Sequence, residues 1–181
     1  STAGIDNAFI KTAIAAGAPF DILTVHPYRG QLNDGGFIGE LRETSGIANG
    51  RPIWITEMGW STNIGNVSER TQAELIARCY LDAAASGVCR NIGWYDFKDD
   101  GRDPFYFEDN FGVLRNDFSP KPAFCALTSV CRSLAGGAVT AREDFGPGIL
   151  AVTRGNTLAV WSDGADRTVR CKVNSGTPSA I

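Results

Sequence analysis

The chain alternates between segments with a helical period and short unbroken apolar runs. Phe9, Ile10, Ala13 and Ile14 recur at i, i+3, i+4 spacing and predict a helix over 6–16, stopped at Gly17. The run Phe20-Asp21-Ile22-Leu23-Thr24-Val25 lacks clean alternation, which predicts a strand buried on both faces. A Gly/Asn/Asp-rich loop over 29–36 leads to a second helix over 37–48, closed by Asn49-Gly50. Residues 51–56 form the second buried run. Ser68 heads a long helix over 69–86 with a stripe of Ala73, Ile76, Ala77, Tyr80, Leu81 and Ala84, and Ser86-Gly87 ends it. Val88 to Trp94 is a third strand. A loop rich in Asp, Phe and Gly over 99–119 then precedes a helix from Pro122 to about Leu134. Strands alternating with helices predict right-handed crossovers and a parallel sheet.

Past Gly136-Gly137 the texture changes. Val139-Thr140-Ala141, Ile149 to Val152, Thr157 to Trp161 and Val169 to Val173 are short alternating stretches. Arg154-Gly155-Asn156 and Ser162-Asp163-Gly164 supply turn chemistry between them. This predicts a small antiparallel meander over 135–181, following an α/β portion over 1–134.

Composition narrows the function classes. Seventeen basic against twenty acidic residues give a net charge of −3, so no electrostatic footprint points to nucleic acid or an anionic membrane. With 43% apolar and 20% charged residues the chain is globular in composition. Its apolar runs fall far short of the ~18 residues a membrane helix needs. A single histidine, His26, argues against a His-rich metal site. The five cysteines, Cys79, Cys89, Cys125, Cys131 and Cys171, show no C-x-x-C spacing. Cys79 and Cys125 lie among apolar neighbours and are expected as buried thiols, with one or two disulfides the alternative. The first residues carry no signal-peptide pattern; an exported setting is still favoured over the cytoplasm, with the compartment left open.

The candidate chemistry gathers at strand ends. His26 and Tyr28, Glu57 and Trp60, and Trp94 and Asp96 follow the three predicted strands. In parallel α/β folds that edge carries the site. A carboxylate at Glu57 borders the core, so it either pairs with a nearby cation or serves catalysis; the catalytic role is the preferred reading. Trp94 offers an apolar face for a sugar ring and an indole N–H to spare, or simply fills the core. Tyr28 is suited to donate to a carboxylate, and His26 to a structural hydrogen bond beneath the site. Asp96 lies nearest the strand in the charged run Asp96-Phe97-Lys98-Asp99-Asp100, which by default is a solvated face.

These blocks resemble the C-terminal part of clan A retaining glycoside hydrolases, (β/α)8 barrels akin to families 39 and 5. The matching stretches are Phe20 to Tyr28, Trp54 to Thr62, Trp94 to Gly101, Asn110 to Leu114 and Lys121 to Phe124. The resemblance covers about residues 1–134 and implies a partial TIM barrel, strands six to eight with their helices, followed by part of a β-domain. It implies a carbohydrate substrate, an oligo- or polysaccharide, and no metal or cofactor. Glu57 takes the place of the nucleophile. Tyr28 takes that of the tyrosine that hydrogen-bonds it, Trp94 that of the sugar platform, and His26 that of a pocket-lining residue. Trp60 and Asp96 are added as substrate-binding candidates.

The family's acid/base is a Glu after an Asn, and no Asn-Glu pair occurs in this chain. A complete barrel typically needs ~250 residues. The acid is therefore expected outside this chain. The alternative function is a catalytically incomplete fragment acting as a carbohydrate-binding or assembly module. Three strands alone would expose sheet surface, which predicts self-association, domain swapping or a substantially rearranged sheet, with a complementary barrel half as the other expected partner.

Overall fold

A computed structural model of the chain describes residues 4–142, 145–162 and 166–170. Its elements are α1 (Asn7–Ala15), β1 (Leu23–Val25), α2 (Asp34–Ile47), β2 (Ile53–Ile55), α3 (Glu69–Ser86), β3 (Cys89–Ile92), a 3-10 turn (Phe107–Asn110) and α4 (Pro122–Leu134), then β4 (Thr140–Arg142), β5 (Ile149–Arg154) and β6 (Thr157–Ser162). The predicted alternation is present, with strands shorter than their apolar runs. β1, β2 and β3 form a parallel sheet in chain order, and β4, β5 and β6 a separate antiparallel sheet. The sheet is thus not rearranged. Because its strands are parallel, the residues after Val25, Ile55 and Ile92 all leave from one edge.

The helix limits follow from local chemistry. Ser68 Oγ accepts from Thr71 N at 3.0 Å, and Gly87, at φ +73, closes α3 in the left-handed conformation that glycine takes without a Cβ clash. α2 begins at Asp34, three residues before the expected start, through Gly35 and Gly36. Each glycine costs roughly 1 kcal/mol relative to alanine. The Asn33 side chain offsets part of that by accepting from Gly36 N at 3.2 Å, and Phe37 is fully buried one residue later.

Burial corrects one expectation. The sheet is covered on one face only: Leu23, Val25, Ile53 and Ile55 pack with Ile10, Phe37, Leu41, Leu75 and Cys79 of the helices. Thr24, Trp54 and Asn91 lie in register on the other face, where Trp54 is 37% exposed. Strict alternation of side chains drives this, and Ile-Trp-Ile conceals it because all three residues are apolar. Phe9, expected in the α1 stripe, is exposed, and Ile10 is the buried residue of that helix. α3 buries more than its predicted stripe. Gln72, Leu75, Cys79, Asp82 and Ala83 are enclosed as well, since α3 packs against both α2 and α4.

The antiparallel sheet seats Val152, Leu150 and Trp161 on Ile38, Leu81, Ala85 and Leu134 of α2, α3 and α4. Near this seam lies an ionic cluster. Arg78 Nε donates to Asp34 Oδ1 at 2.9 Å, and its Nη2 pairs with Asp34 Oδ2. Asp82 is fully buried beside them; no hydrogen bond of good geometry from the described residues reaches its oxygens, and the Asp34 carboxyl and the Trp161 indole are polar groups acting on it. Burial, with the Asp34 charge second, pushes the Asp82 carboxyl far above the ordinary range.

Of the fourth stretch, Val169 and Arg170 form no strand, and Cys171 to Val173 lie outside the described residues. The described cysteines are free thiols. Cys79 is buried as expected, but Cys125 is exposed because α4 turns Ala123 and Val130 inward instead. Among the described residues no helix is long and apolar enough to cross a membrane. Nor do three His, Cys, Asp or Glu side chains among them converge to hold a metal.

Candidate active site

Adjacent parallel strands set the first contacts. The chain leaves β1 at Val25 and β2 at Ile55, which face each other across the ladder. His26 therefore meets Thr56, with Nε2 and Oγ1 2.8 Å apart. The other ring nitrogen, Nδ1, lies 3.5 Å from Glu57 Oε2. A proton on Nδ1 satisfies both contacts, because Nε2 then accepts from the threonine hydroxyl while Nδ1 faces the carboxylate. Tyr28 donates its hydroxyl to the same Oε2 at 3.2 Å. Burial first, and then the negative charge of Glu57, raise the Tyr28 phenol well above its usual range, so it stays a neutral donor. Oε1 of Glu57 has no hydrogen-bond partner among the described residues, and the side chain is 43% exposed. One carboxylate oxygen is thus held, and the other is left without a hydrogen bond among the described residues.

The third strand closes the edge. Gly93 N donates to Ile55 O at 2.8 Å and Tyr95 N to Met58 O at 2.9 Å. The Tyr95–Asp96 peptide is cis. Gly59 is required here: a Cβ at that position would sit 2.0 Å from Tyr95 O. Trp94 lies half-buried beside Trp60, with ring centroids 5.9 Å apart. Its indole N–H is not spare but donates to Phe111 O at 3.4 Å.

Trp60 departs from its expected role. It is only 3% exposed, so it backs the Trp94 ring from within and does not present a face to a ligand. Asp96 turns its Oδ1 to the Lys98 amide at 2.6 Å, as a turn-forming carboxylate does. Burial raises its carboxyl above the ordinary range. His26, Tyr28 and Glu57 come together as anticipated. Tyr95 and Phe111, which are not among the sequence candidates, form edge-on contacts with Tyr28 at 6.4 and 6.2 Å. Both lie in stretches that match the family, Tyr95 in Trp94 to Gly101 and Phe111 in Asn110 to Leu114, but nothing in those stretches singles out either ring.

Behind the edge, buried polar groups fix the loops. Lys121 is 2% exposed and donates to Asp99 Oδ1 at 2.7 Å, Thr62 Oγ1 at 3.0 Å and Asn110 O at 3.2 Å. All three ammonium protons are therefore used. Asp99 also accepts from Gly112 N at 2.9 Å, and its burial still raises the carboxyl. Gln72, fully buried on α3, donates to Trp60 O at 2.9 Å and Phe111 O at 3.1 Å. The loops after β2 and β3 are thus tied to each other and to α3.

Comparison with known proteins bears on the family and the fold. Residues 7–104 match the family described as the glycosyl hydrolase catalytic core. A probable glucan endo-1,3-beta-glucosidase from Aspergillus fumigatus is 29% identical over 99 residues, 51% of this chain and 22% of that protein. A family 39 glycoside hydrolase from the gut symbiont Bacteroides cellulosilyticus WH2 superposes with a TM-score of 0.74 at 28% identity, over 87% of this chain and 37% of that one. Xylanase 10B from Thermotoga maritima shares the fold, with a TM-score of 0.57 at 22% identity over 70% of this chain and 41% of that one. The chain therefore spans well under half the length of each of these three proteins.

Proposed function

The chain belongs to the glycosyl hydrolase catalytic core family, and on that premise we propose that it carries the nucleophile side of a retaining O-glycosidase site. Glu57 Oε1 attacks the anomeric carbon as the bond to the leaving-group oxygen breaks, giving a covalent glycosyl-enzyme. A second carboxyl group, ~5–5.5 Å away, protonates the departing oxygen and then activates the water that releases the sugar. In this reading that acid/base is a Glu outside these 181 residues. The observation that carries the proposal is the Glu57 carboxylate itself. It stands at a parallel strand end on a partly exposed side chain, with Oε2 held by Tyr28 and His26 and with Oε1 uncommitted among the described residues.

Residues 1–134 are assigned as strands six to eight of a (β/α)8 barrel with their helices, and 135–181 as a trailing β segment. The one-sided sheet supports this, since the row of Thr24, Trp54 and Asn91 is the surface the other strands of a barrel would enclose. A complementary half or a second copy would cover it. The name of the fungal relative makes β-1,3-glucan the first substrate to test.

The test uses a dinitrophenyl 2-deoxy-2-fluoro-β-glucoside, whose leaving group departs without acid help, so that the nucleophile is read alone. Intact mass should rise by one fluoroglucosyl unit in the wild type and not in Glu57→Gln. If gluco-, xylo- and galacto-configured reagents all leave the mass unchanged, the proposal fails. The second reading would then stand, a carbohydrate-binding or assembly module. The lack of any Asn-Glu pair in the chain favours that reading.

A further inference from the structure

The loop between β3 and α4 exposes a set of aromatic side chains that the Glu57 chemistry does not use. Phe105 is 70% exposed, Tyr106 52% and Phe107 49%. Clustered apolar exposure of this kind marks a binding surface more often than chance placement.

The cluster is continuous with the site. Tyr28, which holds Glu57, contacts Phe111 at 6.2 Å; Phe111 contacts Phe107 at 6.1 Å; and Phe107 contacts Tyr106 at 5.7 Å. Each pair is edge-on, so the rings form a stepped track from the carboxylate toward solvent. The backbone beneath it is fixed. Ser61 Oγ donates to Phe107 O at 2.7 Å, Ile64 N to Pro104 O at 2.7 Å, and Asn110 Nδ2 to Tyr106 O at 2.7 Å. Ser61 and Ile64 belong to the loop that starts at Glu57, so the track and the carboxylate are held on one frame. Rigid aromatics on a fixed loop bind with little loss of side-chain freedom. Glu108, next in the chain, lies close enough to act electrostatically on both the Tyr28 and Tyr95 phenols. A carboxylate there would accept hydrogen bonds from sugar hydroxyls.

We propose that Tyr106 and Phe107, with Glu108, form an outer subsite that stacks the distal rings of a glycan chain whose proximal ring lies at Glu57. The ligand class is a linear polysaccharide or a long oligosaccharide. This inference rests on the glycosidase reading of Glu57 for its direction along the chain.

Titration calorimetry of the whole chain with β-1,3-linked glucohexaose and glucobiose tests it, with β-1,4-linked glucans and xylans of the same two lengths run in parallel. The wild type should bind a hexaose ~10-fold or more tighter than its biose, the scale expected for one or two stacked rings. Tyr106→Ala/Phe107→Ala should erase that preference, and Tyr106→Trp should retain it. Should the double variant unfold early, the single Tyr106→Ser and Phe107→Ser variants replace it. A length preference that survives these changes, or none in the wild type for any of the three glycans, overturns the subsite. So does a dimer that the double variant dissolves without any effect on glycan binding, because the rings would then serve self-association. The trapping experiment uses a monosaccharide and reads only Glu57. A trapped adduct without length preference would therefore sink the subsite alone. A length preference lost in the double variant, without any adduct, would sink the nucleophile alone.

Discussion

Among the described residues two ionic clusters are buried, one among the loops behind Glu57 and the other between α2 and α3. Behind Glu57, one Lys121 ammonium meets one Asp99 carboxylate, and every ammonium proton has an acceptor. Between the helices, one Arg78 guanidinium serves two acids, Asp34 and Asp82; it pairs with Asp34, while the Asp34 carboxyl and the Trp161 indole are polar groups acting on Asp82. The first cluster is balanced and fixes the loops that carry the candidate chemistry. The second carries one acid too many and lies beside the seam with the antiparallel sheet. Burial of an acid thus has opposite consequences at two places in one small fold: Asp99 keeps a cation beside it, while the surplus Asp82 is driven toward its neutral form.

The sharpest way to break the comparison is Lys121→Met. It strands Asp99 in a buried site and should cost ~3–5 kcal/mol in denaturant unfolding. Trapping at Glu57 should slow as well, since Thr62 and Asn110 lose their shared anchor.

Asp82→Asn should act in the other direction, adding ~1–3 kcal/mol at neutral pH because folding then no longer requires this carboxyl to take up a proton. The sign with pH follows from the folded-state shift. The Asp82 carboxyl is pushed up to about 9, so between about 4 and 9 the folded chain binds more protons than the unfolded one. Its contribution is fully present below the ordinary carboxylate range and is lost as pH rises through about 9. Wild-type melting temperature should therefore fall across that window, and Asp82→Asn should flatten the fall. An unchanged slope would contradict this account of the cluster.

The smallest effect on stability belongs to Tyr28→Phe, at most ~1 kcal/mol, because the lost hydrogen bond is half-exposed and 3.2 Å long. Its effect on trapping should be larger, a ~10-fold or greater slowing at unchanged fold. Equal trapping rates would show that the phenol does not position the carboxylate.

How much of the fold and the site was legible in the sequence depended on the kind of signal. The limits of α3 were local, set by a Ser68 cap and a Gly87 stop, and both hold in the structure. His26, Tyr28 and Glu57 were legible because they directly follow apolar runs, and parallel pairing of those runs leaves little freedom in where they meet. Side-chain exposure was not legible. Ile53-Trp54-Ile55 is apolar throughout, and only the sheet's one-sided cover decides that Trp54 faces out. Trp60 and Trp94 have the same chemistry, yet Trp60 is enclosed and Trp94 only half-buried. The Asp99–Lys121 pair and the ring track through Phe111 and Phe107 join residues that no short-range pattern connects. The early start of α2 needed the weight of a buried Phe37 against two glycines, a balance that propensity alone decides the other way.

The central claim is that Glu57 is the attacking carboxylate. The most direct measurement is proteolytic mapping of the chain after exposure to the dinitrophenyl fluoroglucoside. The account predicts the added mass on a single peptide, with fragmentation placing it on Glu57. A label on any other carboxylate, or a chain that stays unlabelled while its fold is intact, would contradict it.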